Sequence, residues 1–244
     1  MNKVLYPFIL SFIASISTIL GYFIIYLKCN IKKIITFSLS FATSVMITIS
    51  LTDLIPSSFV YLSEFIFFYK VLIMFFFLIL GIFLSYYISL KVDSNNSLER
   101  VGIISMLAII LHNIPEGIIT FMVSKVNLNL GLKLSIAIGL HNIPEGISIA
   151  VPLYFATKKK SKTFLIVLIS GLSELLGSIL AYLFLSKYIN NFIIGCIFSL
   201  TAGIMLNISL TEILKEAIKY REKKYLILGL LLGTIVMLLS HFIL

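Results

Sequence analysis

Residues 111–118 read Leu-His-Asn-Ile-Pro-Glu-Gly-Ile, and residues 140–147 repeat the same eight letters. Each copy lies inside an apolar run long enough to cross a bilayer, which takes about 20 residues. Ionisable side chains are costly at that depth and mark functional positions. One His, one Asn and one Glu beside a proline, set twice on adjacent spans, read as two halves of one cation site.

The surrounding chain supports a membrane reading. Its 244 residues are 60% hydrophobic and 12% charged, with a mean hydropathy of +1.12; a soluble domain carries about 25% charged residues. Apolar runs lie at Val4 to Leu27, Ile34 to Val60, Val71 to Leu90, Val101 to Val123, Leu130 to Ala156, Phe164 to Leu185, Phe192 to Leu214 and Tyr225 to Leu244. Eight transmembrane helices are expected, numbered here 1 to 8, so that residues 1–244 form one transmembrane transporter domain with no soluble domain. The first run exceeds a signal-peptide core and lacks a clear small-residue cleavage site, which predicts a retained helix. The longest polar connection, Lys91 to Arg100, has the composition of a surface loop.

A net charge of +9 would point to nucleic acid in a soluble protein, but here the basic residues sort by loop. Lys28, Lys32, Lys33, Lys91, Arg100, Lys158, Lys159, Lys160, Lys162, Lys215, Lys219, Arg221, Lys223 and Lys224 collect on one side. Only Lys3, Lys70, Lys125, Lys133 and Lys187 fall on the other. The positive-inside rule makes the loops after helices 1, 3, 5 and 7 cytoplasmic and places both termini outside the cytosol. The basic excess needs no nucleic acid. Cys29 and Cys196 fall at opposite ends of their helices and form no CxxC pair, so neither a disulfide nor a thiolate metal site is expected.

Of the ten acids, Asp53, Glu116, Glu145, Glu174 and Glu212 fall within the spans, whereas Lys and Arg stay in loops and helix ends. Carboxylates clustered in low dielectric must take up protons or hold a cation. His112 and Glu116 are four residues apart and Asn113 and Glu116 three apart, which puts all three on one helical face. His141, Asn142 and Glu145 repeat that spacing. Pro115 and Pro144 free the carbonyls of Leu111 and Leu140 and bend each helix at its site. Glu174 shares a face with Ser170, Gly177 and Ser178, where helix 6 can approach a neighbour closely. A protonated Glu174 bonded to a neighbouring helix satisfies the same pattern.

The repeat extends further. Ala108 and Ile109 match Ala137 and Ile138 at the same offset of 29, and Ile-Ser-Leu-Thr-Asp at 49–53 matches Ile-Ser-Leu-Thr-Glu at 208–212. The second match aligns Thr43 with Ala202, Met46 with Met205 and Ser50 with Ser209. Helices 4 and 5 have opposite orientation, as do helices 2 and 7. Helices 1–3 would therefore relate to helices 6–8, and helix 4 to helix 5, by an axis in the membrane plane. Such inverted repeats mark secondary transporters. Asp53 and Glu212 would then draw cations toward opposite mouths, unless they are simply solvated acids near helix ends, and Ser50 and Ser209 line the same stripes.

Imidazole with carboxylate and amide oxygen suits zinc, iron, manganese, cobalt and cadmium better than copper(I), magnesium or calcium. These residues resemble the ZIP (Zrt/Irt-like) family of divalent metal transporters, most closely its bacterial ZupT and GufA-like branches, across essentially the whole chain. The resemblance implies eight helices, termini outside the cytosol and a binuclear site. One metal position would use His112, Glu116, His141 and Glu145. The other would use Asn113, Asn142 and Glu174, with a glutamate of helix 4 or 5 bridging. Met46 falls where some members place a thioether ligand; by composition alone it is an ordinary core residue. Two departures are visible: the connection between helices 3 and 4 is short and has no His, and Leu175 follows Glu174 where those branches commonly have proline. His241 reads as an interfacial side chain.

The expected activity is transport of divalent transition metals, zinc first and then iron or manganese, toward the cytosol through the plasma membrane or an organelle membrane. No prosthetic group is expected, and the partners are the metal ions and the lipid bilayer, with a homodimer compatible. An intramembrane metal enzyme fits poorly, because HExxH and the Glu-x-x-His order of di-iron bundles are both missing. A metal receptor without transport would carry the same ligands.

Overall fold

The computed structural model describes residues 4–28, 30–185 and 190–243. Lys3, Cys29, Lys187 and the side chain of His241 lie outside the described residues. Among the described residues, eight helices are long and apolar enough to cross a membrane: α1 Leu5–Tyr26, α2 Ile31–Tyr61, α3 Phe67–Lys91, α4 Ser97–Val126, α5 Leu128–Thr157, α6 Lys160–Phe184, α7 Asn191–Lys219 and α8 Lys223–Ser240. No strand occurs among the described residues. The chain is an all-α, multi-pass membrane protein. Cys196 is a buried free thiol.

Several helices begin earlier than the apolar runs, and asparagines explain where. Asn30 accepts from the amides of Lys32 and Lys33, and Asn96 from those of Leu98 and Glu99. Asn127 accepts from Asn129 and Leu130, and Asn190 from Ile193. Each satisfies first-turn donors that lack an intrahelical partner. Ser97 to Arg100 therefore belong to a helix, which corrects the expectation of a loop over Lys91 to Arg100. Asn127 ends α4 and caps α5, so those two helices are joined by a single residue.

The helices pack as two groups: α1, α4, α5 and α6 contact one another, while α2 pairs with α8 and α3 with α7. The groups meet where α2 lies against α5 and α4 against α7. Lipid offers no hydrophobic drive for helix association, so close approach depends on small residues and interhelical hydrogen bonds. At Gly117 a Cβ would overlap the carbonyl oxygen of Glu174, and at Gly146 it would overlap that of Thr18.

Contacts recur in pairs at constant offsets. Gly21 abuts the Ile143 carbonyl as Gly177 abuts that of Ile114. Asn142 Nδ2 donates to Ala14 O at 3.0 Å as Asn113 Nδ2 donates to Ser170 O at 3.1 Å. In the second group Gly81 lies against the Leu200 carbonyl and Gly233 against that of Phe41. The two Ile-Ser-Leu-Thr-acid segments both relax into a π-helical turn, at Ser50–Leu54 and Ser209–Ile213.

Candidate metal centre

α4 and α5 run continuously through Pro115 and Pro144. Their facing surfaces bring both repeated peptides together inside the bundle. His112 Nε2 lies 3.3 Å from Glu116 Oε1 and 3.2 Å from Glu145 Oε1, and His141 Nε2 lies 3.0 Å from the same Glu116 oxygen. Ligand atoms of His112, Glu116 and His141 all fall within 4.8 Å of one another. His112 and Glu145 are completely inaccessible, and Glu116 and His141 nearly so.

A second set of oxygens adjoins the first. Asn142 Nδ2 donates to Glu174 Oε2 at 2.9 Å as well as to Ala14 O, while Asn113 Nδ2 is taken by Ser170 O. Both amide nitrogens are thus committed, so the Oδ1 atoms of Asn113 and Asn142 remain as buried acceptors without a hydrogen bond. Glu174 Oε1, Glu116 Oε2 and Glu145 Oε2 are in the same condition, while Glu145 Oε1 faces the His112 ring nitrogen. Unpaired buried acceptors of this number are costly, and among the described residues no Lys or Arg forms an ion pair with Glu116, Glu145 or Glu174. Oxygen acceptors of this kind are the donor chemistry that divalent cations take.

A cavity of about 160 Å³ leads to this cluster, lined among others by Asp53, Ser57, Glu116, His141 and Ser240. Its lining residues come from the second halves of α2, α4 and α8 and the first halves of α5 and α7, the ends whose connections carry few basic residues. Asp53 lines it from the π turn of α2 and accepts a hydrogen bond from Thr52 Oγ1. His112, Glu145, Glu174 and both asparagines are not among its lining residues.

The remaining expected residues are placed differently. Met46 is buried in the apolar cluster with Ala108, Ile147 and its counterpart Met205. Ser50 and Ser209 are buried and donate to carbonyls of their own helices, Met46 O and Leu206 O. Glu212 does not belong to the cation-free set, because Arg100 Nη1 sits 2.5 Å from its Oε2. Sequence reasoning treated Arg100 only as a loop charge; Asn96, a helix cap four residues before it, is the signal that places it on α4. Glu216 also escaped notice and is buried between Ser97 and Lys219.

A family model described as ZIP Zinc transporter matches residues 91–241. The zinc transporter ZupT of Chlorobaculum parvum is 34% identical, with 98% of this chain and 97% of that protein covered. ZupT of Oceanobacillus iheyensis is likewise 34% identical, covering 98% of each. ZupT of Clostridium perfringens is 44% identical over 60% of this chain and 51% of that protein; the chain thus spans about half the length of this relative, and 55% of the Chlorobium chlorochromatii ZupT. With its buried His and Glu cluster and a match across most of its length, the chain belongs to the ZIP zinc transporter family, in its ZupT-like branch.

Proposed function

We propose that the protein carries divalent transition-metal ions across a membrane toward the cytosol, with zinc as first substrate and iron or manganese after it. The observation that carries this reading is the set of buried carboxylate, imidazole and amide-oxygen acceptors that lack a cationic partner, next to a cavity open on one face. His112, Glu116, His141 and Glu145 hold one ion. Asn113, Asn142 and Glu174 hold a second, with Glu116 or Glu145 bridging, and Met46 is a further candidate ligand at the position where some members of the family carry a thioether. Asp53 attracts ions at the open mouth.

The paired contacts at constant offsets support an inverted repeat relating helices 1–3 to 6–8 and helix 4 to helix 5. Two such halves give alternating access when one group of helices moves against the other. The loop charges favour a cytoplasmic location for the end bearing Arg100 and Glu212. The family is one of transporters rather than enzymes.

Radiometal uptake into cells lacking their own importers tests the proposal. Wild-type protein should accumulate zinc ahead of iron and manganese, and Glu116→Ala and Glu145→Ala should each abolish that flux. Normal uptake by both variants would rule out the site.

A further inference from the structure

The end of the bundle that bears Arg100 holds a separate pocket of about 190 Å³, lined by Ser97, Arg100, Thr211, Glu212 and Glu216 among others, and two sets of contacts join the helix groups there. Nearest the metal centre, Val101, Ile104 and Ala108 of α4 pack with Leu39 of α2, Val151 of α5 and Ile208 of α7 in one apolar cluster. Beyond this lies a polar layer built around Arg100, in the first turn of α4. Its Nη1 meets Glu212 of α7, Nη2 donates to Ser89 O at 2.7 Å, and Nε donates to Val92 O at 3.2 Å. Ser89 is in the last turn of α3 and Val92 is the residue just after it, so the guanidinium also sits at the negative end of that helix dipole. One side chain on the helix carrying His112, Asn113 and Glu116 therefore grips two helices of the other group.

The contact is sheltered, with 30% of the Arg100 side chain and 12% of that of Glu212 exposed. A charge-assisted bond in such a place is stronger than an exposed surface pair. Beside it Ser97 Oγ donates to Glu216 Oε1 at 3.1 Å, again from α4 to α7. Any relative movement of the two groups that opens this end has to break these bonds. Lys162 with Glu99 and Lys219 with Glu216 stay within their own groups and impose no such condition.

We infer that Arg100 is a gating residue: its guanidinium latches α4 to α3 and α7 while the metal centre faces the opposite side, and its release from Glu212 is a required step before an ion leaves toward the Arg100 end. This rests on the transport reading. It assigns Arg100 a role in access, separate from the ligands, and it makes Glu212 a closed carboxylate in this state and an open one only after the latch parts.

The test reads accessibility directly. Ser105, fully buried and without a hydrogen-bond partner, lies on the His112 face of α4 between the latch and the site. A Ser105→Cys reporter in a Cys29→Ser/Cys196→Ser background is labelled with a membrane-impermeant maleimide in inside-out vesicles. Arg100→Gln and Glu212→Gln should each speed labelling by about tenfold, within the range of ordinary conformational couplings, and the exchanged pair Arg100→Glu/Glu212→Arg should slow it again. Labelling at the parental rate in both single variants, with zinc still raising their melting temperatures, would overturn the latch. If Arg100→Gln fails to fold, Glu212→Gln breaks the same bond from the other side and decides the matter. Zinc flux of the parent is measured in parallel: absent flux with accelerated labelling would remove the transport reading and leave the latch standing.

Discussion

His112 offers one ring nitrogen to two carboxylates, and Glu116 offers one oxygen to two histidines, so each of these residues already sits where a shared ion would be bound. The asparagines contribute differently: by spending their NH₂ groups on Ala14 O and Ser170 O they hold their oxygens rigidly inward. Asn142→Ala would release Glu174 as well as that oxygen. We expect it to weaken zinc binding at least tenfold and to cost about 1–3 kcal/mol of stability, the range for orphaned buried groups, measured by titration and by thermal unfolding of the purified protein. Because imidazole and carboxylate ligands bind metal only when deprotonated, we expect zinc affinity at neutral pH and its loss as pH falls. Titrations at stepped pH check the sign; affinity that rises with acidity would contradict the ligand set. The spacing of His, Asn and Glu made these residues legible in the sequence, since i, i+3 and i, i+4 define one helical face whatever surrounds it. From the residues alone Glu174 was legible as one intramembrane acid on a face of small residues, and the family resemblance implied it as a ligand. Its counterpart by the paired contacts is Thr18, so the backbone arrangement recurs while the chemistry does not, and no repeat could announce it.

Among the elements, α4 and α6 show how close packing serves the site. Gly117 directly follows Glu116 and takes the Glu174 backbone against its own Cα. Gly117→Ala has no room for its methyl group except by separating these helices, an overpacking of about 1–3 kcal/mol. Thermal unfolding should register that loss, and zinc binding should weaken with it because Glu174 moves away from Asn142; unchanged values for both would show that the helices can part freely. Helix ends obey a more local rule. Asn127→Ala removes the cap of α5 within a one-residue connection and should cost about 1 kcal/mol, readable as a lower melting temperature with uptake retained. Such caps were present in the sequence but overshadowed by hydropathy, which finds the apolar middle of a helix and not its polar first turn. Span boundaries therefore ran late at α2, α4 and α5, and by four residues at α3 and α6, which have no such cap, whereas eight spans were expected and eight occur among the described residues.

For the molecule as a whole, the two helix groups meet across a face with one cavity beside Asp53 and Glu116 and a second pocket beside the Arg100–Glu212 contact. Zinc binding to the folded state should raise stability by about 2.7 kcal/mol at a hundred times Kd, by mass action. Glu145→Ala should remove that increment, and a melting temperature indifferent to zinc in the wild type would argue against a preformed centre. The sequence by itself determined the membrane class, the number of helices and the repeated His, Asn and Glu as candidate ligands, because hydrophobic run length, loop charge and helical spacing are local properties that need no knowledge of neighbours. Only the tertiary structure decided that Asn113 and Asn142 surrender their NH₂ groups to α6 and α1, that Glu174 joins Asn142, and that Arg100 pairs with Glu212. Each of those is a contact between helices distant in the chain, and whether a buried charge meets a cation, an amide or only an open cavity depends on packing that no local pattern encodes.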